Sequence, residues 1–411
     1  MTPVPIPAAL PDGMRRILVV EAGPIDPGSN AGDRACADLL DGLVAIGAEV
    51  RFHALGTRGS SDGRLISAML DRNPEIAISH NDGDLKTVLD AEPYDAVIAS
   101  RPGTALVCGP AFDARPEIVR IFWGHDIHAR RLAAQRSVRG NVTDRRSALV
   151  AMAETRNWEA FDLSVYPAAG ESDVVNEVAP GKGVASPYYR LADADLPVDV
   201  PARTGRHGIL MVGSSFHAPN ADAVEWAIAE ILPLIRADQP DAVLTIAGDW
   251  SLAERQSLAR PGVRFTGLVT EVALRALHDE HVCLLAPLRF GGGTKRKIVA
   301  AMGLGLPVVT TDEGQRGLLV RDGQGETDGV GLGNDPGSLA AAVSKLHTDL
   351  DLWATMSAVA HGSVRNVYAC AAYDDHLRRV LTDGVTRRNN RLLLSGQTGA
   401  DPIASPSRPG A

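Results

Sequence analysis

Residues 287–311 read PLRFGGGTKRKIVAAMGLGLPVVTT, and this stretch decides the fold. An apolar strand, 281–287, leads into a loop with three consecutive glycines, after which come a helical stretch and a β-branched strand, 307–311. A strand that feeds a glycine-rich loop and then a helix is suited to binding phosphate, because glycines let the backbone approach and the helix N-terminus adds positive potential. The stretch therefore predicts an α/β unit whose loop holds a phosphate group.

Basic residues follow the glycines at the start of this helix, namely Lys295, Arg296 and Lys297, where they would reinforce the positive potential. The alternative is that the glycines only form a tight turn and the basic side chains are solvated. We favour phosphate binding because a second strand-loop-helix unit lies upstream in the same half of the chain. The loop lacks the G-x-x-x-x-G-K-[ST] pattern of a P-loop, and no G-x-G-x-x-G follows the first strand, so a nicotinamide dinucleotide site is not indicated.

The upstream unit spans residues 208–235, GILMVGSSFHAPNADAVEWAIAEILPLI. Its loop joins the carboxyl end of a strand to a long helix, which is where ligands bind in open α/β sheets. Ser214 and Ser215 would either donate to a phosphate oxygen or satisfy the turn. His217 is either a ligand contact or a packing residue, and Asn220 fits the N-cap of the helix. The unit therefore predicts a second wall of the same site.

Short apolar strands alternate with helical stretches in both halves of the chain, which indicates parallel sheets with helices on both faces. The predicted fold class is α/β, with two doubly wound Rossmann-like domains that face each other across a cleft. The predicted boundaries are a flexible arm at 1–14, an N-terminal domain at 15–190, a linker at 191–206, a C-terminal domain at 207–367, a final helix at 368–384 and a disordered tail at 385–411.

Length, composition and net charge limit the kind of protein that this chain can be. A chain of 411 residues is long enough for two domains, and a hydrophobic content of 45% is typical of a globular protein. The formal net charge of −9 argues against general nucleic-acid binding. The four cysteines lack any paired or metal-type spacing, and the apolar runs are too short for a transmembrane helix. We therefore expect a cytoplasmic protein without a nucleic-acid partner.

The segment from Gly208 to Thr311 resembles the second domain of GT-B fold glycosyltransferases of the family-4 type (glycosyl transferases group 1). It carries VGSSFHAPN, LTIAGDW, VRFTGL and FGGGTKRKIVAAM in the order and spacing of that family. Upstream, ILVVEAGPIDPGSNAGDR, YDAVIASRP and IFWGHDIHARRL are similar to the family's first domain. The resemblance implies transfer of a sugar from a nucleoside diphosphate-sugar donor to a hydroxyl of a glycan or small-molecule acceptor. It also implies retention of anomeric configuration, without a metal or other cofactor.

The resemblance also implies roles for individual residues. The glycine loop and a basic side chain, Lys297 first and Lys295 second, would neutralise the diphosphate leaving group. His125, directly after a buried strand, would lie in the cleft near the transferred sugar; taken without the family, it would be a hydrogen-bonded turn residue. Asp126 would be the N-cap of the next helix. The donor-binding candidates are Ser214, Ser215, His217, Arg289, Gly291, Gly292, Gly293, Thr294, Lys295 and Lys297. The acceptor-side candidates are Gly32 and Arg34, although a tight turn before a helix would explain the glycine equally well.

The chain departs from the family in the glycine loop. Relatives usually carry two glutamates spaced E-x7-E, of which the second holds the ribose hydroxyls, and here these positions are Gly292 and Ala300. A non-catalytic nucleotide-sugar-binding or assembly protein on the same fold is therefore the alternative function. A sugar-nucleotide epimerase would show more acidic and histidine residues around the cleft.

Two further segments carry expectations. In relatives the last helix crosses back to the first domain, so we expect residues 368–384 to pack there and to form a hinge with the linker. The basic cluster between Arg130 and Arg146 predicts either a solvated helix face or peripheral contact with an anionic membrane. We favour the solvated face because the segment lacks aromatic anchors.

Overall fold

The first domain is built on a parallel sheet. The structure, a computed structural model, describes residues 9–396 apart from positions 12, 29, 81–84, 113, 141–143, 200–201 and 319–328. The strands are β1 (Arg16–Glu21), β2 (Glu49–Ala54), β3 (Ala77–His80), β4 (Ala96–Ser100), β5 (Val119–Trp123), β6 (Leu163–Tyr166) and β7 (Gly183–Ala185). The helices are α1 (Ala31–Ala45), α2 (Asp62–Arg72), α3 (Leu85–Ala91), α4 (Pro102–Cys108), α5 (His128–Arg139), α6 (Asp144–Ala160) and α7 (Ala169–Val178). The strand order is β3-β2-β1-β4-β5-β6-β7.

The second domain repeats this design. Its strands are β8 (Ile209–Val212), β9 (Leu244–Ala247), β10 (Val263–Gly267), β11 (Cys283–Ala286), β12 (Val308–Thr310) and β13 (Val330–Leu332), in the order β10-β9-β8-β11-β12-β13. Its helices are α8 (Ala218–Trp226), α9 (Leu232–Asp238), α10 (Leu252–Ser257), α11 (Glu271–Glu280), α12 (Arg296–Gly303), α13 (Asp312–Gln315), α14 (Pro336–Thr348) and α15 (Leu350–Tyr368). A final helix, α16 (Cys370–Leu394), completes the described chain. The predicted fold class is confirmed.

The strand order of each sheet reverses direction at one place, and this fixes where a ligand can enter. In the first sheet β1 lies between β2 and β4, and in the second β8 lies between β9 and β11. Connections from these strands leave on opposite faces, so the carboxyl ends on either side of the reversal form a crevice. The loops after β8 and β11, which carry both predicted walls of the site, therefore meet at one place.

Helix α16 belongs physically to the first domain. Its buried residues Tyr373, Leu377 and Leu381 are part of the same core as β1 and β5. Gly384 packs directly on β5, where an added Cβ would lie 2.7 Å from a methyl group of Val119. The residues predicted as a final helix, 368–384, thus cover one face of the N-terminal sheet.

The two connections between the domains run side by side. The backbone N–H of Leu191 donates to the carbonyl of Tyr368 at 2.8 Å, and that of Cys370 donates to the carbonyl of Leu191 at 3.1 Å. The chain therefore passes between the domains at one paired crossing, and the role of this crossing as a hinge stays a prediction.

The prediction of a disordered tail from residue 385 was wrong for residues 385–394, which continue α16. Arg391 explains the extension, since its guanidinium binds the buried carboxylate of Asp162 at 2.7 Å and donates to the carbonyls of Pro116 and Ile118. The polar composition of this segment suggested a solvated tail, but its charged side chains include one that binds the first domain. Residues 397–411 of the predicted tail and residues 1–8 and 12 of the predicted arm lie outside the described residues.

No helix in the described ranges is both long enough and apolar enough to cross a membrane.

Candidate active site

A cleft of about 540 Å³ lies between the carboxyl ends of the two sheets. One wall comes from the first domain, through the loop after β1, Arg101 after β4, and residues 125–131 after β5. The other wall comes from the second domain, through most of the loop after β8, from Val212 to Asn220, and through Leu288 and residues 291–297. The structure thus brings together the two segments of the second domain singled out in the sequence with Gly32 and His125 of the first domain.

The glycine loop leads from β11 to α12 along the floor of this cleft. Gly293 has φ +57°, a backbone conformation that favours glycine. Lys295 lies directly before α12 and is buried; its Nζ donates to the carbonyls of Gly293 at 3.0 Å and Arg316 at 3.2 Å and pairs with Glu313 at 3.5 Å. Burial lowers the pKa of Lys295, and Glu313 opposes that shift. Lys295 therefore braces the loop from within.

Lys297, in the first turn of α12, is the basic group that joins the glycine loop and its helix to the segment after β8. Its Nζ donates to Oδ1 of Asn220 at 2.6 Å, and the Asn220 amide donates to the carbonyl of Ser214 at 3.3 Å. Burial, with a contribution from nearby Lys295, lowers the pKa of Lys297 to about 8. Asn220 is not the N-cap of α8, a position that His217 occupies; it acts instead as the acceptor that orients Lys297.

The two serines of the upstream loop have different surroundings. Ser214 lines the cleft, but its Oγ accepts the backbone N–H of Asp249 at 3.0 Å. Ser215 lies outside the cleft lining and donates to Glu254 at 3.0 Å, which places it at the start of α10. The Ser215 hydroxyl is therefore bound within the second domain, away from the cleft, and Ser214 remains a candidate through its position.

Arg289 does not line the cleft, contrary to its assignment as a donor contact. Its guanidinium forms a bidentate pair with the buried carboxylate of Asp222, at 2.8 and 2.6 Å, and lies 5.2 Å from the centre of the Trp226 ring. Asp222 also accepts from Arg139 of the first domain at 2.9 Å. Arg289 therefore holds an ion-pair network that spans the two domains.

His217 and Thr294 do line the cleft. Burial, followed by the nearby charge of Lys297, lowers the pKa of His217 to about 4, so its imidazole is neutral near pH 7. The Thr294 hydroxyl donates to the carbonyl of Gly317 at 2.5 Å, and its carbonyl accepts from Tyr189 of the first domain at 3.1 Å. Thr294 thus anchors the glycine loop on both sides, while His217 presents a neutral ring.

Two residues of the first domain have unusual backbone conformations at the cleft. Arg101 follows β4 with φ +71°, and His125 follows β5 with φ +60°. Such conformations cost free energy in residues other than glycine and occur often at functional sites. The His125 ring packs edge-on against Tyr188, with 5.5 Å between ring centres. Burial, with the charges of Arg101 and His128, lowers the pKa of His125 to about 3, so the ring is neutral at pH 7.

Asp126 brings the first domain into contact with the glycine loop. It is not the N-cap of α5, a position held by Ile127. Its carboxylate binds Arg131 at 2.6 Å and His128 at 3.1 Å. Burial opposes the ionisation of Asp126, yet His128 and Arg131 together hold the pKa of its carboxyl below the usual value. A Cβ added at Gly292 would lie 2.1 Å from Oδ2 of this carboxylate.

This contact gives a physical reason for one departure from the family pattern. No side chain fits at position 292 while Asp126 occupies that space, and a Cβ at Gly293 would lie 2.4 Å from the carbonyl oxygen of His125. A second carboxylate of the first domain, Glu171, accepts the backbone N–H of Gly293 at 3.3 Å. The glycine loop therefore packs closely against the first domain, and two acidic side chains of that domain, Asp126 and Glu171, contact it.

We predict that Gly292→Ala separates the two domains at this contact. Overpacking a closely fitted site costs about 1–3 kcal/mol, which would shift the equilibrium away from the packed arrangement. Hydrogen exchange of residues 124–127 and 291–294 measures the effect. Gly291→Ala is the matched control, because the nearest heavy atom to a Cβ there, Cε of Lys295, lies at 3.5 Å, an ordinary van der Waals distance. Equal exchange in the two variants would contradict the contact, and Asp126→Gly should suppress the effect of Gly292→Ala.

The acceptor-side candidates lie at the start of α1. Gly32 lines the cleft, and a Cβ there would lie 3.2 Å from the guanidinium of Arg101. Arg34 does not line it and pairs with Asp38 at 2.9 Å, so its assignment to the acceptor side is not supported. Arg101 was missed in the sequence. Its signal was its position directly after the apolar strand β4, at the same edge of the sheet where His125 follows β5.

The basic cluster of the first domain does not form one solvated face. Arg131 enters the cleft to bind Asp126, and Arg139 reaches Asp222 and Glu225 of the second domain. The charges of these two arginines are therefore compensated by carboxylates. Peripheral contact of the remaining basic residues with a membrane stays a prediction.

Comparison with known proteins supports the arrangement. Residues 206–349 match the family described as glycosyl transferases group 1. That match covers the second domain, about a third of the chain. A curated relative from Klebsiella pneumoniae, described as an uncharacterized 44.6 kDa protein in the cps region, is 28% identical over 123 residues. That match spans 28% of this chain and only 32% of the relative.

Solved structures resemble the two domains together. The Anabaena protein Alr3699/HepE in complex with UDP and glucose superposes with a TM-score of 0.61 at 15% identity, covering 90% of this chain and 99% of its own. Sucrose-phosphate synthase from Thermosynechococcus elongatus gives 0.65 at 13% identity, covering 93% and 100%. The pneumococcal O-GlcNAc transferase GtfA, in complex with UDP and GlcNAc, gives 0.63 at 9%, covering 91% and 99%. At these identities the likeness shows the fold alone, and the fold is GT-B.

Proposed function

We propose that the protein is a glycosyltransferase that moves a sugar from a nucleoside diphosphate-sugar to a hydroxyl of a glycan or small-molecule acceptor. The observation that carries this proposal is the position of the glycine loop and Lys297 at the N-terminus of α12, facing His125 of the other domain across the cleft. The UDP and sugar bound by HepE, and the UDP and GlcNAc bound by GtfA, support a donor of this class.

The chemistry follows from the charge that develops on the leaving group. Cleavage of the sugar–phosphate bond leaves negative charge on the diphosphate, which preorganised N–H groups and a cation stabilise. The first turn of α12 supplies backbone N–H groups and the positive end of the helix dipole. Lys297 supplies the cation, while Lys295 holds the loop in shape. In this proposal the transfer retains configuration and uses no metal.

The proposal is tested by incubating the purified protein with a panel of nucleoside diphosphate-sugars, with and without EDTA, and by following release of the diphosphate. We expect slow hydrolysis of one donor without an acceptor, faster release with the right acceptor, and no effect of EDTA. Loss of activity in EDTA that added metal restores would overturn metal independence. Absence of release with every donor and acceptor would overturn the assignment as an enzyme.

A non-catalytic nucleotide-sugar-binding protein is the second candidate, and Ala300 is the observation that favours it. Ala300 lines the cleft at the position where the family glutamate would hold the ribose. Calorimetric binding of a nucleotide-sugar without turnover in any acceptor mixture would favour this candidate.

We predict that His125→Ala lowers turnover while nucleoside diphosphate affinity stays near that of the wild type. The reason is that His125 belongs to the domain opposite the diphosphate loop, and misplacing a substrate by about 1 Å can cost roughly 100-fold in rate. Calorimetry with the nucleotide and steady-state kinetics measure the two effects. His347→Ala, which alters a half-buried histidine on α14 away from the cleft, is the control. A parallel fall in affinity would make His125 a donor contact.

A further inference from the structure

Three neighbouring strands of the first sheet place a chain of polar groups behind His125. Glu21 ends β1, Ser100 ends β4, and His125 follows β5 by two residues. β4 pairs with β1 on one side and with β5 on the other, which brings the three side chains into line. The Ser100 hydroxyl lies 2.7 Å from Oε2 of Glu21 and 2.8 Å from Nε2 of His125.

The carboxylate of Glu21 is surrounded by donors. Oε1 accepts the backbone N–H of Ala22 at 2.8 Å and pairs with Nε of Arg101 at 2.9 Å, and Oε2 accepts from Ser100. Burial raises the pKa of Glu21, but Arg101, the Ala22 N–H and the Ser100 hydroxyl all oppose that rise. Because donors face both oxygens, the group that fits this environment is the carboxylate, which only accepts hydrogen bonds.

The direction of the remaining hydrogen bonds follows from this assignment. A serine hydroxyl has one proton, and here it is donated to Glu21. Toward His125 the Ser100 oxygen can therefore only accept, so Nε2 must carry a proton. A neutral imidazole carries a proton on one nitrogen, which makes Nδ1 an acceptor. Among the described residues no hydrogen bond reaches Nδ1, and the ring lines the cleft.

We propose that Glu21 and Ser100 are positioning residues that fix His125 as the tautomer with its proton on Nε2, leaving Nδ1 to accept a hydrogen bond from a substrate hydroxyl in the cleft. The role in sugar binding rests on the proposed function. The tautomer does not, since it follows from the hydrogen-bond chain alone. The left-handed backbone of Arg101 fits this arrangement, because it places the guanidinium beside Glu21 while Ser100 faces His125.

The first test reads the tautomer directly. Nitrogen-15 NMR of histidine-labelled protein separates protonated from unprotonated ring nitrogens, and the His125→Gln spectrum assigns the signals. We expect Nε2 protonated and Nδ1 unprotonated in the wild type near pH 7. Protonation on Nδ1 would overturn the proposal, whether or not the protein transfers sugar.

The second test reverses the direction of the hydrogen bonds between residues 21, 100 and 125. In Glu21→Gln the amide oxygen is held by Arg101 and Ala22, so its NH₂ group faces Ser100, which then donates its proton to Nε2 of His125. We expect the tautomer to change to the Nδ1-protonated form, and turnover to fall by up to about 100-fold. Nucleotide affinity should be unchanged. An unchanged tautomer in a folded variant would overturn the proposal.

Ser100→Ala and Ser100→Thr separate positioning from a merely structural effect. The alanine variant should mix the two tautomers and lower turnover, whereas threonine keeps the hydroxyl and should restore both. Ser79→Ala is the matched control, because Ser79 forms a similar contact with His53 at 3.0 Å elsewhere in the same sheet. We expect Ser79→Ala to leave the His125 tautomer and turnover unchanged. If Ser100→Ala leaves them unchanged as well, the proposal fails. If no variant or wild type transfers sugar, the proposed function fails while the tautomer measurement still decides the hydrogen-bond chain.

Discussion

Removal of residues 368–411 is expected to unfold the first domain, although these residues follow the second domain in the chain. The truncation exposes the surface that α16 covers and removes the buried side chains of Tyr373, Leu377, Val380 and Leu381. Burial of one large apolar side chain contributes about 1.5–3 kcal/mol. Four of them together therefore match the roughly 5–15 kcal/mol by which a typical domain is stable.

Thermal unfolding and hydrogen exchange measure this effect. We expect lost protection across residues 16–190 in the truncated protein, with protection in residues 209–318 largely kept. Truncation after Gly396 is the control, since it leaves α16 and the pair of Arg391 with Asp162 in place. Unchanged protection in the first domain after removal of 368–411 would mean that its sheet does not need the helix.

Lys297→Ala is expected to weaken nucleoside diphosphate binding by about 1.5–3 kcal/mol, the scale of a hydrogen bond to a charged group. This corresponds to a rise in Kd of roughly 10- to 150-fold, since about 1.4 kcal/mol is tenfold. Lys297 is already half-buried and oriented by Asn220, so little free energy is spent in ordering it when the ligand binds. Titration calorimetry with UDP and other nucleoside diphosphates measures the change.

Two controls sharpen the Lys297 experiment. Arg296→Ala removes the neighbouring charge, which lies on a different face of the helix and pairs with Glu271 at 3.7 Å, and should have a smaller effect. The pH dependence gives an independent check. The protonated lysine binds the anion, and its pKa in the free protein is about 8, so wild-type affinity should fall as the pH rises above 8. The alanine variant should lack this fall, and equal pH dependence in both proteins would remove Lys297 from the site.

The sequence by itself determined the two parallel sheets and the place of the glycine loop. Strands such as RILVV and VRIFW are apolar on both faces because helices cover both sides of the sheet, and such runs can be read locally. The carboxyl ends of parallel strands lie at one edge of a sheet, so the position of Lys297 near the cleft also followed from chain order, whereas His125 was placed there with the help of the family resemblance.

Only the tertiary structure decided which of these side chains face the cleft and what supports them. Ser215 and Arg289 lie in the expected loops, yet Glu254 and Asp222 hold them elsewhere. These partners are distant in sequence, and no local pattern encodes them. The same holds for Asp126 against Gly292, a contact that forms only when the two domains meet. Strands and helices can be recognised from local patterns because these follow the periodicity of the backbone. The direction of a charged side chain depends instead on the partner that the folded chain brings to it from elsewhere in the sequence.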